Sequence, residues 1–136
     1  MKGEVMIYTI EKKAFGIMLS FEGMMDEETA KKFAEDFMKI LDSFVGSISL
    51  LINLINGKPM PAESQAAVND CYKAVIQRGL IRSANIVPSP LMKLQMIRRA
   101  KEFGTYDKAR YIDSSANPNW EQIALEWIEK GIDPDK

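Results

Sequence analysis

The stretch Ile48-Ser49-Leu50-Leu51-Ile52-Asn53-Leu54-Ile55, continuing through Asn56-Gly57-Lys58-Pro59-Met60 into Pro61-Ala62-Glu63-Ser64-Gln65-Ala66-Ala67-Val68, decides the fold. A short apolar run rich in Ile and Leu reads as a strand. Asn-Gly and the prolines read as a loop, and Pro61 followed by Ala, Glu and Gln as the first turn of a helix. In an α/β sheet such a junction lies at the carboxyl edge of the strands, where free backbone N–H groups and the positive helix end collect ligands, phosphates and partner contacts. The position of a binding site is therefore legible before its chemistry. Its candidate residues are Asn53 near the strand end, Lys58 and Met60 in the loop, and Glu63 and Ser64 in the first helical turn.

Upstream, Val5–Ile10 and Ala14–Phe21 are β-rich and are separated by Glu11-Lys12-Lys13. Phe15, Ile17, Leu19 and Phe21 alternate with Gly16, Met18 and Ser20, which predicts a hairpin. Asp26 is placed to N-cap a helix whose first turn carries Glu27 and Glu28. Its apolar positions Ala30, Phe33, Ala34, Phe37, Met38 and Leu41 recur at helical spacing until Phe44, with Gly46 closing it.

Downstream, the second helix presents Val68, Cys71, Tyr72 and Val75 on one face and stops at Gly79. A strand at Ile81–Val87 follows, with Asn85 near its carboxyl end beside Asn53 on the same sheet face. Pro88-Ser89-Pro90 then opens a helix, Leu91–Phe103, ended by Gly104. Lys108–Ile112 is a short last strand. Asn117-Pro118 opens a final helix with Trp120, Ile123, Ala124, Trp127 and Ile128 as its buried stripe, ended by Gly131.

The order ββαβαβαβα forces parallel pairing of the strands that helices separate, with one antiparallel edge from the hairpin. The class is α/β with a mixed, mostly parallel sheet. Ile48, Leu50, Ile52 and Leu54 make one face of the central strand wholly apolar. Ser49, Leu51, Asn53 and Ile55 make the other partly polar. A sheet covered on both faces reads apolar on both, so the helices are expected mainly on one side.

Composition narrows the chemistry. A length of 136 residues fits one domain with one core, residues 1–136. Lys+Arg 18 against Asp+Glu 19 leaves a net charge of −1, too little field to hold nucleic acid as the main partner. The chain has no signal-like start and no unbroken apolar run of ~18 residues, so a soluble, cytoplasmic protein without a transmembrane segment is expected. The single cysteine, Cys71, cannot form an internal disulfide. Histidine is absent, which removes Ser-His-Asp and Cys-His nucleophile pairs, a histidine general base and histidine-ligated metals. No paired-carboxylate motif or phosphate-binding glycine loop compensates, so no enzyme, cofactor or metal is expected.

Each candidate admits a plainer reading. Ser64 is a phosphoacceptor or ordinary helix-start chemistry. Asn53 and Asn85 orient a ligand or satisfy loop backbone. Met18, Met60, Met92 and Met96, among nine methionines, line a pocket for a small lipophilic ligand or fill core gaps. In the helix Leu91–Phe103, one face collects Met92, Met96, Ile97, Ala100 and Phe103, while Leu91 and Leu94 fall elsewhere beside Arg98 and Lys101. That off-face stripe, Leu91, Leu94 and Arg98, is an expected contact surface. The cations Lys93, Arg98, Arg99, Lys101, Lys108 and Arg110 oppose an acidic first helix. This polarity suits self-association, most simply as a homodimer through this helix or the open hairpin edge, or docking on an anionic membrane surface.

The hairpin ending Ser20-Phe21-Glu22-Gly23, the entry Met25-Asp26-Glu27-Glu28-Thr29, the central strand with its loop and helix start, and the terminal Ala124-Leu125-Glu126-Trp127-Ile128 together resemble the STAS domains, particularly the SpoIIAA-like group. The resemblance spans nearly the whole chain. It implies a βα superhelix and a regulatory module that binds a partner protein or a small ligand. In the anti-sigma-factor antagonists of this group, a serine in an Asp-Ser-rich helix start is phosphorylated by a partner kinase. The matching stretch here is Met60-Pro61-Ala62-Glu63-Ser64, with Glu63 in the serine's position and Ser64 one residue beyond. The Asp-Ser signature is absent, and the resemblance leaves a fixed carboxylate at the helix N-terminus partly in place of a phosphate.

Overall fold

The structure, a computed structural model, describes residues 7–58 and 60–136. Its elements are β1 (Ile7–Lys13), β2 (Gly16–Gly23), α1 (Glu27–Asp42), β3 (Ser49–Gly57), α2 (Ala62–Arg78), β4 (Ser83–Val87), α3 (Pro90–Glu102), β5 (Ala109–Asp113) and α4 (Trp120–Lys130). The five strands lie in the order β1-β2-β3-β4-β5. β1 pairs antiparallel with β2, and every later neighbour pairs parallel. This is the mixed sheet expected from the alternation of strands and helices.

Register determines what each face meets. Ile17, Leu19 and Phe21 of β2 and Leu50 of β3 point toward α1 and α2, where Phe33, Phe37, Leu41, Cys71 and Val75 complete the largest core cluster. Tyr111 of β5 lies on that same face and packs with Ala100 of α3. The opposite face carries Leu51, Ala84, Ile86 and Ile112 beneath Ala124, Trp127 and Ile128 of α4. Three helices therefore share one face and α4 alone covers β3–β5 on the other.

The chain departs from expectation in local ways. Glu11-Lys12-Lys13 does not interrupt the hairpin, because β1 runs through Lys13 and the turn is only Ala14-Phe15. Strand geometry sets Glu11 and Lys13 on one side, where they pair at 3.1 Å, and Lys12 on the other, with its ammonium 4.7 Å from the Phe44 ring centroid. Phe15, expected on the inner face with Ile17, packs from the turn against the α4 cluster. Val5 and Met6 lie outside the described residues. Pro61 is the N-cap of α2 rather than its first helical residue, and α4 starts after Asn119, not at Asn117-Pro118. Asp26 caps α1 as expected, its carboxylate accepting the Thr29 N–H at 2.8 Å, which holds its pKa below the usual carboxylate range.

Candidate functional site

The loop leaving β3 is pinned at its start by the Lys58 N–H, which donates to the Gly23 carbonyl at 3.0 Å. Beyond it, Met60 is half-buried against the α1 core, and its carbonyl accepts from Gln65 Nε2 at 3.0 Å. Pro61 offers no side-chain cap, so among the described residues the start of α2 has no side-chain capping bond. Lys58 and Glu63 stand in solvent at this end.

Ser64 does not join them. It is fully buried, on the side of α2 that carries Cys71 and Val75, and its Oγ has no hydrogen-bond partner among the described residues. The reading of Ser64 as a phosphoacceptor or binding residue at the helix start is corrected: Ser64 is one turn before Val68 and two before Cys71, so the helix carries it inward with them. The Cys71 thiol is buried too, and desolvation pushes its pKa up to about 11, which leaves it protonated and unreactive.

Asn53 and Asn85 also part company. Register sets Asn85 beside Ile52 and Asn53 beside Ile86, so the two side chains leave opposite faces of the sheet. Asn53 Oδ1 accepts the Ile55 N–H at 2.9 Å. Asn85 is buried, and its Nδ2 donates to the Arg110 carbonyl at 3.3 Å. Each amide serves nearby backbone, and the shared polar face expected for them does not exist.

At the same edge of the sheet, the β4–α3 junction is built more tightly. Ser89 Oγ accepts the Met92 N–H at 3.2 Å and Pro90 occupies the first turn. The α3 helix then sends Leu91 (65 % exposed) and Leu94 (63 % exposed) outward, and Arg98 is exposed beside them. Phe103, expected inside, is the exposed C-cap of this helix. Thus the carboxyl edge presents Lys58 and Glu63 from one junction and an apolar pair from the next.

The expected methionine pocket is not assembled. Met18 packs on the α4 side, Met60 in the α1–α2 cluster and Met96 with α3. Two shallow concavities occur elsewhere. One of about 360 Å³ lies between β1 and α1, lined by Tyr8, Ile10, Asp36, Lys39 and Ile40. The other, of about 260 Å³, lies between α2 and the turn before β5, walled by Tyr72, Ile76, Asp107 and Lys108 among others.

Sequence reasoning missed a cluster at the other end of the basic segment. Arg110 grips Asp133 with both sides of its guanidinium, Nε to Oδ1 at 2.9 Å and Nη2 to Oδ2 at 3.0 Å. Its Nη1 donates to the Tyr106 and Ala109 carbonyls, and its plane lies over the Tyr106 and Trp127 rings. Lys93 and the Tyr106 hydroxyl meet Asp135 at 3.2 and 2.5 Å. The hydrogen bonds from Arg110 and from the Asp135 N–H pull the Asp133 pKa down to about 2. Burial, with the bond to Asp135, pushes Tyr106 up to about 12. Two cations counted toward a contact surface, Lys93 and Arg110, are thus taken by the C-terminal tail. The only signal for this in the sequence was the acidic pair in Asp133-Pro134-Asp135, at a separation that spacing rules do not cover.

No family model matches the chain, and no curated protein matches it. Solved structures do. An uncharacterized protein of the DUF3478 family with a SpoIIAA-like fold, from Shewanella loihica PV-4, is similar over 94% of this chain and 98% of its own, with TM-score 0.62 and 16% identity. The fold is SpoIIAA-like. An anti-sigma factor antagonist from Mycobacterium paratuberculosis matches over 90% of this chain and 97% of its own, with TM-score 0.57 and 11% identity. The anti-sigma factor antagonist SpoIIAA in its unphosphorylated form matches over 86% and 97%, with TM-score 0.55 and 14% identity. At these identities the likeness is one of fold. Among the described residues, no helix is long and apolar enough to cross a membrane.

Proposed function

We propose that this chain is a non-enzymatic regulatory module that binds a partner protein through the carboxyl edge of its sheet. The observation that carries this reading is the exposed Leu91–Leu94 pair beside Arg98, set next to the uncapped start of α2 with Lys58 and Glu63. Exposed leucines lose their hydration cost when a partner covers them, and flanking charges fix the partner's orientation. Asn53, Met60, Ser64 and Asn85 support the scaffold beneath that surface and do not form it. Ser64 in particular offers its hydroxyl to no enzyme while the first turn of α2 is intact, which argues against phosphorylation as the regulatory event.

Photo-crosslinking in the host cell tests the reading. A photoreactive residue at Leu94 or Glu63 should capture one protein that the same residue at Glu35, on α1, does not. Equal capture from all three positions, or none, overturns it. Esterase, phosphatase and peptidase panels are expected to show no turnover. Because none of the four methionines lines either of the two concavities described above, the freshly purified protein is expected at its apo mass in native mass spectrometry rather than with a lipophilic ligand bound.

A further inference from the structure

We infer that the free edge of β1 and the concavity beside it form the interface with a second copy of this chain. β1 ends the sheet, and among the described residues no strand pairs with its outer side. An unpaired edge presents backbone donors and acceptors ready for another strand, and lysines there ordinarily discourage it. Here they are otherwise engaged. Lys13 pairs with Glu11, and Lys12 lies over the Phe44 ring.

The edge is complementary to itself, as a two-fold interface requires. Antiparallel pairing about Thr9 sets Thr9 opposite Thr9 of the second copy. On the helix side of the sheet it sets Tyr8 opposite the second copy's Ile10, twice. Thr–Thr and aromatic–β-branched pairs are favourable cross-strand neighbours. Tyr8 is held in place by its hydroxyl bond to Asp36 at 2.6 Å and by edge-to-face contact with Phe33 at 5.3 Å between centroids.

The same operation runs α1 antiparallel to its copy along the seam. Lys12 reaches Phe44 as Tyr8 reaches Asp36, so α1 advances with β1 and the level of Thr9 falls between Asp36 and Ile40. Asp36 and Lys39, both on the rim of the concavity, then oppose Lys39 and Asp36 of the second copy. One acid and one base, three residues apart on one helix, satisfy each other twice across the axis. Closing the seam buries Ile10 and Ile40, which are half-exposed in the single chain.

This proposal is independent of the partner surface on α3, and sedimentation separates the two. The wild type should sediment as a dimer at micromolar concentration. Lys39→Glu places like charges across the axis and should raise the dissociation constant roughly tenfold or more, with the circular dichroism spectrum unchanged. Asp36→Lys should do the same. An equimolar mixture of the two variants restores both opposite-charge contacts and should form heterodimers. Leu94→Glu should leave the dimer intact. A monomeric wild type, a dimer indifferent to Lys39→Glu, a mixture of folded variants that stays monomeric, or a dimer broken by Leu94→Glu each overturns the assignment.

Discussion

Ser64 is a buried hydroxyl without a partner among the described residues, and Arg110 a buried guanidinium held by Asp133. A serine hydroxyl buried without a partner is a cost to the fold, so Ser64→Ala should leave stability unchanged or raise it by up to about 1 kcal/mol in urea denaturation. Ser64→Asp, often used to imitate a phosphate, forces a carboxylate into the α1–α2 core and should cost about 3 kcal/mol or more. The burial is legible in the spacing: positions 64, 68, 71 and 75 share one helical face, and Val68, Cys71 and Val75 are apolar. Asp133 has its pKa lowered from 3.8 in the free state to about 2 in the fold, so it binds its proton less readily when folded. Its contribution to stability is complete above pH about 4 and is lost as pH falls through about 2. Arg110→Met should flatten this dependence, seen as a urea midpoint that declines less between pH 4 and pH 2 than the wild type's.

Among the elements, the β2 start shows how closely two strands approach. Gly16 has φ of +145°, and a Cβ there would overlap the Ser49 carbonyl oxygen of β3. Gly16→Ala should destabilise by about 2–4 kcal/mol, measured by thermal or chemical unfolding. The α3 helix makes the opposite case. Leu91→Ser with Leu94→Ser removes apolar groups that touch solvent, so stability should move by no more than about 0.5 kcal/mol per site while capture of a partner from this helix is lost. Periodicity located these leucines correctly because a helix exposes what its buried face excludes. Periodicity failed at Phe103, the C-cap, where the last turn no longer obeys the stripe. It failed also at Glu11-Lys12-Lys13, where charge was read as a turn although a two-sided strand can place such residues on its rim.

For the whole molecule, the mostly parallel pairing with one antiparallel edge and the placement of most helices on one face followed from alternation and from the polar positions of β3, whereas the order of strands across the sheet was not read from the sequence. The facing of Asn53 and Asn85 did not follow either, since it depends on the register between neighbouring strands, which a single sequence does not encode locally. The tail likewise closes over α3 and β5 through contacts between residues far apart in the chain, including Lys93 with Asp135 and Arg110 with Asp133. Truncation after Gly131 should therefore speed amide hydrogen exchange in α3 and β5 while α1 keeps its protection, because α1 belongs to a separate core cluster. Trp127 sits at the meeting point of these contacts, its indole N–H bonded to the Ser83 carbonyl at 3.0 Å and its ring faced by the guanidinium groups of Arg82 and Arg110. That placement turns the indole into a built-in optical gauge. Any event that lifts the tail takes Asp133 away from the guanidinium that faces the ring, and with Trp120→Phe to isolate the signal, the emission colour and quenching of Trp127 should register the opening in a single cuvette without a label.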